Sequence, residues 1–444
     1  MKTLLRNRDY RRLFTAQLVS LLGTGLATVA LGLLAYDLAG PDAGVVLGTA
    51  LAVKMVAYVT VSPVVGALAD RVPRRSMMVV ADLVRAGVVL ALPFVAQLWQ
   101  VYLLIAVLQS ASATFTPVFQ SVLPDVLTDE EDYTTALSAS QFAVAAENIV
   151  SPLLAAAVLT VLAYSTLFVG TAAGFLASAT LVLGAAVPVA VRSGRDRFVD
   201  RITAGVRTFA VVPALRAVLA FDLVIASAGA ITLVSTVNVV RDVLGGTESA
   251  VALLLAAAGT GTAIAAVLAP RLLRTLHERS LMLAGTAVAI AAVAVAIAMP
   301  FAPSWGLAAG AWAGIGLGTG FALMPTGRVI RRAAANQDRP AVFAAQFSLS
   351  HLCWLLTYPL TGYLGSAAGF STAWSVLLVL AVASGATACL VWPRRLTRPV
   401  PHIHDSTTGD HVTTGREPLD RSGTAWTHAQ EIMPDDLHRR IVHA

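Results

Sequence analysis

Twelve long apolar runs, parted only by short charged segments, decide what this chain can fold into. They lie near 13–39, 44–69, 76–97, 100–124, 137–162, 165–191, 214–240, 248–269, 280–300, 303–326, 341–366 and 370–392. Each is long enough to cross a hydrocarbon core of ~30 Å as a helix. The apolar residues are continuous rather than alternating, which selects helices over strands of a closed barrel. In hydrocarbon those two elements are the ones that satisfy their own backbone groups. The expectation is an all-α membrane protein of twelve transmembrane helices. Charged residues make up 13% of the chain, about half the ~25% of an ordinary soluble domain. The first run follows a basic N-terminus as in a secretory leader, but it is too long for a leader core and is read as an uncleaved first helix.

Arginine sets the expected orientation. If the N-terminus is cytoplasmic, the cytoplasmic segments carry Arg6, Arg8, Arg11 and Arg12, then Arg71, Arg74 and Arg75, then the arginines of the central segment and of the tail. The opposite loops hold one basic residue, Arg241. This bias explains the net charge of +6 by contact with anionic lipid, so the basic balance needs no nucleic-acid partner. Both termini are expected in the cytoplasm of a bacterium, with the chain multi-pass in its inner membrane.

A repeat divides the chain. "RRLFTAQLVS" from Arg11 parallels "LRAVLAFDLV" from Leu215, "RRSMMV" from Arg74 parallels "ERSLML" from Glu278, and "SASQFAVA" from Ser138 parallels "FAAQFSLS" from Phe343. The shared offset of about 204 residues predicts two six-helix halves in parallel orientation. The expected units are 1–191, a linker at 192–213, 214–392 and a tail at 393–444. In the linker, Phe198, Ile202, Val206 and Phe209 recur at helical spacing with arginines between them. That pattern predicts an amphipathic helix on the inner membrane surface.

One charged knot stands out. "GALADRVPRR", from Gly66 to Arg75, resembles the signature loop of the major facilitator superfamily at Gly66, Leu68, Ala69, Asp70, Arg71, Arg74 and Arg75, with Pro73 in place of the usual glycine. With twelve runs, a central basic segment and a half-length repeat, residues 1 to about 395 are identified as a member of that superfamily. The resemblance implies the major facilitator fold and a cytoplasmic gate built on Gly66, Asp70, Arg71, Arg74 and Arg75. Asp70 would sit at a helix junction, where a carboxylate pairs with arginine and with a helix N-terminus. The second-half loop has Pro270 and Arg274 in corresponding places and no aspartate, so the gate is expected to be asymmetric. "ENIVSPLLAA", from Glu147 to Ala156, is loosely similar to the exporter signature of the family. The arginine linked to proton coupling in its drug exporters is absent near Ala106.

Ionisable groups within spans are costly and mark pathways or pairs. Asp82 and Arg85 are spaced to neutralise each other. Asp37 and Asp222 fall near span ends, where they are expected to meet the interface. Lys54, Glu147 and His351 each lie about ten residues into a span, and Glu147 and His351 occupy nearly equivalent positions of the repeat. These three are the transport-path candidates. Against that stands a structural role, with Lys54 paired to a carboxylate and His351 donating to a backbone carbonyl. The glycines of span ten, Gly306 to Gly320, are read as helix-packing sites.

Six of eight histidines fall in the tail, accompanied by acids. His402, His404, Asp405, His411 and His438 are candidate ligands for a divalent metal, because imidazole with carboxylate suits nickel, cobalt, zinc or copper. The alternative is a polar tail with incidental histidines. "LGTALAVKMVAYV", "QSVLPDVLTDEEDYTTALS" and "DRPAVFAAQFSLSHLCWLLTYPL" resemble a nickel-resistance branch of the superfamily, which implies export of nickel. The two cysteines, Cys353 and Cys389, form no metal or redox motif. No nucleotide-binding GxxxxGK[ST] occurs, and no nucleophile–base constellation suggests an enzyme. The sequence therefore predicts a secondary transporter without cofactor, coupled to protons, exporting a metal ion or other small solute. The alternatives are an exporter of drugs or siderophore-like organic molecules, and a membrane metal sensor or scaffold that does not transport.

Overall fold

The computed structural model describes residues 7–68, 72–127, 130–187, 198–299, 301–333, 339–392, 400–405, 420–422 and 425–430. Fourteen α-helices run through them. The first six are α1 (Arg8–Ala39), α2 (Ala43–Leu68), α3 (Arg74–Ala91), α4 (Leu98–Val126), α5 (Glu130–Leu159) and α6 (Ser165–Gly184). The short α7 (Phe198–Val211) leads into α8 (Pro213–Asn238), α9 (Glu248–Leu272), α10 (Glu278–Ile297) and α11 (Trp305–Leu323). After them come α12 (Thr326–Ala333), α13 (Arg339–Ala368) and α14 (Phe370–Val391). Apart from α7 and α12, these are the twelve long helices that the apolar runs predict.

Among the described residues, nine helical stretches are long and apolar enough to cross a membrane, and the first, Arg8–Val61, holds both α1 and α2. Helices α5 and α13 carry mid-helix ionisable groups, Glu147 and His351, and both lie where the halves meet.

Local chemistry sets the ends. Asn7 caps α1 by accepting from the backbone N–H groups of Asp9 and Tyr10, at 3.0 and 3.1 Å, which satisfies donors the helix leaves free. Gln97 and Gln100 form a reciprocal capping box at α4. Gly369, with φ +82°, is the single residue between α13 and α14; only glycine reverses the chain there without a Cβ penalty. Val239–Val243 extends α8 by a five-residue π-helical turn.

In the first half, α1 packs on α5 and α6, and α3 on α4 and α6. In the second, α11 packs on α9 and α10, and α8 on α13 and α14. The halves meet along α2 against α13 and α5 against α9. Small residues make the second half tight. A Cβ on Gly316 would overlap the Ala258 carbonyl oxygen, and one on Gly261 the Ala313 carbonyl oxygen, so α9 and α11 touch backbone to backbone, as small residues allow in a membrane. Of the span-ten glycines, Gly314, Gly316, Gly318 and Gly320 are thus packing sites, while Gly306 and Gly310 are not. Trp312 and Trp374, both fully buried, meet edge to face and donate to Thr236 and Ser235.

Two features differ from the sequence reading. Helix α7 packs on α8 and α13 rather than only on a membrane surface. Phe209 is 3% exposed in one cluster with Leu215, Val218 and Phe221, because the base of the second half offers its ring a protein partner, while Val206 stays exposed. The tail adds a small antiparallel sheet of β1 (Val400–Asp405), β2 (Asp420–Ser422) and β3 (Ala425–Gln430), in the order β1-β3-β2.

Gly316→Ala is expected to destabilise the protein by about 1–3 kcal/mol, the usual cost of overpacking. Gly310→Ala, whose Cβ would meet open space, is expected to be nearly silent. Thermal unfolding in detergent measures both.

Candidate functional site

Between the halves lies a cavity of about 370 Å³. Helices α1, α2 and α5 supply one wall, and α8, α9, α11 and α13 the other. Lys54 and Glu147 both face it. Lys54 is the charge that bears on Glu147, but among the described ion pairs none joins them. Glu147 is seated by Gly25: a Cβ there would overlap Glu147 Oε1 and Ser151. Ser151 in turn donates to the Leu22 carbonyl at 3.4 Å. The first wall is therefore a tight α1–α5 contact with one carboxylate at its edge.

His351 lies elsewhere. It is not among the lining residues. Its ring stacks on Tyr58 at 5.4 Å and on Phe347 at 4.0 Å, and Nδ1 donates to the Phe347 carbonyl at 2.6 Å. The aromatic groups that do reach the cavity from α13 are Trp354 and Tyr358, tilted against each other with centroids 5.0 Å apart. A Cβ on Gly229 would strike the indole, so the glycine makes its place. Nothing in the sequence marked Trp354, because an indole in an apolar run reads as core.

The remaining intramembrane charges are structural. Asp82 and Arg85 are fully buried and bonded to each other. The guanidinium is held between Phe115 and Phe175, at 4.7 and 4.4 Å from their centroids, where ring faces attract a cation. Asp37 is exposed, as expected. Asp222 is not at an interface with solvent: it is 3% exposed and accepts from Gln346 Nε2 at 2.9 Å. The packing of α13 on α8 covers it, which helix position alone could not show.

One end of the cavity is clasped. Tyr36 donates to Asp242 Oδ1, and Arg241 lies over the Tyr36 ring at 5.4 Å. Asn238 Nδ2 donates to Asp242 Oδ2 at 2.8 Å and to the Pro41 carbonyl at 3.0 Å. Ser366 donates to Asp42. Each link except that of Asn238 to Asp242 joins the two halves. Beside them α2 and α13 meet at glycines: a Cβ on Gly48 would lie 2.6 Å from the Tyr358 carbonyl oxygen, and one on Gly362 would overlap that of Gly44. The π-helical turn after α8 is what carries Arg241 and Asp242 to Tyr36.

At the opposite, arginine-rich face, Arg74 and Arg75 open α3. Asp70 and Arg71 lie outside the described residues, and Gly66 belongs to α2. The second half has a carboxylate here after all. Glu278, 4% exposed at the start of α10, binds Arg328 at 3.1 Å and Arg332 at 2.8 Å. It is the repeat partner of Arg74, so the repeat, read for charge reversal, held this signal. In the tail, His402, His404 and Asp405 lie on β1, with His402 opposite His428 in the register with β3. His411 and His438 lie outside the described residues.

A family model described as the Major Facilitator Superfamily matches residues 13–292 and 217–430. This chain belongs to the Major Facilitator Superfamily. Over 184 residues, 41% of the superfamily chain here, it is 30% identical to the "Uncharacterized MFS-type transporter YfiS" of Bacillus subtilis (strain 168). The match spans 43% of that relative's length. Two solved structures share the fold. A bacterial homolog to the human lysosomal transporter Spinster, inward-facing and unoccupied, superposes with a TM-score of 0.71 at 15% identity, over 88% of this chain and 99% of that one. The nucleoside transporter NupG superposes with a TM-score of 0.68 at 12% identity, over 86% and 99%. The superfamily is one of multi-pass membrane transporters, in keeping with the apolar helices here.

Arg85→Ala, which strands a buried carboxylate, is expected to cost about 3–5 kcal/mol, whereas the double change Asp82→Leu with Arg85→Met is expected to be near neutral. Thermal unfolding of the two purified variants tests this.

Proposed function

We propose that this chain moves its solute by alternating access across the bacterial cytoplasmic membrane. Its working units are the halves 1–191 and 214–392, the linker 192–213 and the tail 393–444. The observation that carries this reading is a cavity between the halves whose closure at one end rests on contacts between the halves. Such contacts break when the halves rock, and the cavity then opens at that end. The arginine bias puts the clasped end outside and both termini inside, so the conformation is closed to the exterior. The Spinster homolog, described as inward-facing, supports the same assignment. Gly66, Asp70, Arg71, Arg74 and Arg75 form the opposing gate, with Glu278, Arg328 and Arg332 as its second-half counterpart. Protons are the coupling ion, with Glu147 as the exchangeable carboxyl, and the direction is export.

For the solute, the cavity favours a small organic molecule over nickel. Its lining holds one carboxylate and no imidazole or thiol. Among the described residues no group of three or more histidine, cysteine, aspartate or glutamate side chains stands close enough to hold a metal. Nitrogen and sulfur donors are what hold nickel against water. Nickel export would rest instead on His402, His404, Asp405, His411 and His438 of the tail. The cavity between two halves also favours transport over a sensor or scaffold.

A cysteine at Thr28, which lines the cavity, tests the mechanism in a chain with Cys353→Ser and Cys389→Ser. In oriented vesicles an impermeant thiol reagent is expected to reach it from either side. Asp242→Ala removes the Tyr36 and Asn238 links, each a hydrogen bond to a charged group, and is expected to raise labelling from the clasped side about tenfold. Labelling from one side alone, unchanged by Asp242→Ala, rules out alternating access.

A further inference from the structure

The two cavity walls differ in kind. The first-half wall carries both charges, Lys54 and Glu147, with the hydroxyls of Thr24 and Thr28 beside them. The second-half wall carries no carboxylate, ammonium or imidazole group; besides the hydroxyls of Thr232, Thr262 and Thr319 it presents Ile225, Leu255, Leu323, Trp354 and Tyr358. Among the described residues neither charge is neutralised by a direct ion pair, although Lys54 lies within cation–π reach of Tyr58, its Nζ 5.8 Å from the ring centroid. Beside Lys54 a recess of about 40 Å³ has a mostly apolar lining into which Thr24, Thr28, Gln109 and Ser112 bring polar groups. It has room for a water or the oxygens of a head group, and no room for an organic body.

Two opposite charges on a half-buried wall, not joined in a direct ion pair, favour partners of opposite sign. A single cation would answer Glu147 and leave Lys54 unmatched; a single anion would do the reverse. A head group bearing both charges answers both at once. The opposite wall needs an apolar body, best a flat one, since Trp354 offers an indole face or edge. The cavity volume lies at the lower end of the range for small-molecule sites.

We infer that the cavity binds an amphoteric organic solute, its carboxylate or other anionic group at Lys54, its ammonium at Glu147, and its apolar or aromatic body against the Trp354–Tyr358 wall. This deepens the transporter reading and rests on it. The assignment also gives Lys54 a role as a specificity residue: it excludes simple lipophilic cations, which a carboxylate facing an aromatic wall would otherwise attract.

The test uses one body with four heads: the dipeptide Phe-Phe (zwitterion), its N-acetyl form (anion), its C-terminal amide (cation) and the N-acetyl amide (neutral). Binding to the purified full-length chain in detergent is read by isothermal titration, with unliganded thermal unfolding confirming that each variant is folded. The expected order places the zwitterion first. Lys54→Gln is expected to weaken the two carboxylate-bearing ligands about tenfold or more and to spare the amide, and Glu147→Gln to do the converse. Trp354→Leu, which leaves both charges in place, is expected to weaken all four alike. Equal binding of the four ligands, tight binding of the cation alone, or binding of none by folded protein would overturn the proposal. So would nickel binding that Glu147→Gln abolishes. None of these outcomes changes the two-sided labelling experiment, so alternating access stands or falls separately.

Discussion

Hydrocarbon offers no hydrogen bonds, and every part of this structure answers to that fact. The backbone closes its own bonds in helices. Side-chain hydroxyls within the spans turn back on the preceding turn: Thr24 donates to Ser20, Thr28 to Thr24 and Ser227 to Leu223. Where a charge is buried, a partner has been built beside it. Arg85 has Asp82 and two phenylalanine faces, and Asp222 has the amide of Gln346. Against this background, Lys54 and Glu147 are conspicuous. They face a cavity and enter none of the described ion pairs, and that separates a site from the scaffold.

The two halves share a fold and divide the work. Polar links between the first and fifth helices occur in both, as Ser140 to Gln17 and as Gln346 to Asp222. The cavity charges come only from the first half. The tightest glycine contacts lie in the second, where α9, α10 and α11 pack as one block. One half thus presents chemistry to a solute, and the other presents a rigid apolar face.

Much of this was legible in the sequence, and the reason is again the solvent. Helix length is dictated by membrane thickness, so the apolar runs located the long helices to within a few residues at most ends. The chemistry was legible in part. Glu147 and Lys54 stood out because charge in an apolar run is costly. His351 stood out for the same reason, yet its ring is taken up by Tyr58, Phe347 and a backbone carbonyl. Depth along a helix was readable, but the direction a side chain points around it was not. Asp222 shows the same gap: its depth suggested an interface, and the packing of α13 buried it. The clasp was invisible because it depends on a π-helical turn that rotates Arg241 and Asp242 toward Tyr36, and on the carbonyl of Pro41, which no side-chain pattern announces. Glu278 was missed because the repeat was searched for likeness and the pair is reversed in charge.

The seam between α2 and α13 has a mechanical meaning. At Gly44, Gly48 and Gly362 the helices meet through main chain, without side chains meshed like cogs. At that end the two surfaces can roll over each other without any rotamer having to change, whereas farther along Tyr58 of α2 is stacked on His351 and set against Phe347 of α13. The glycine end of the α2–α13 seam is thus a smooth bearing, rimmed by a few polar bonds.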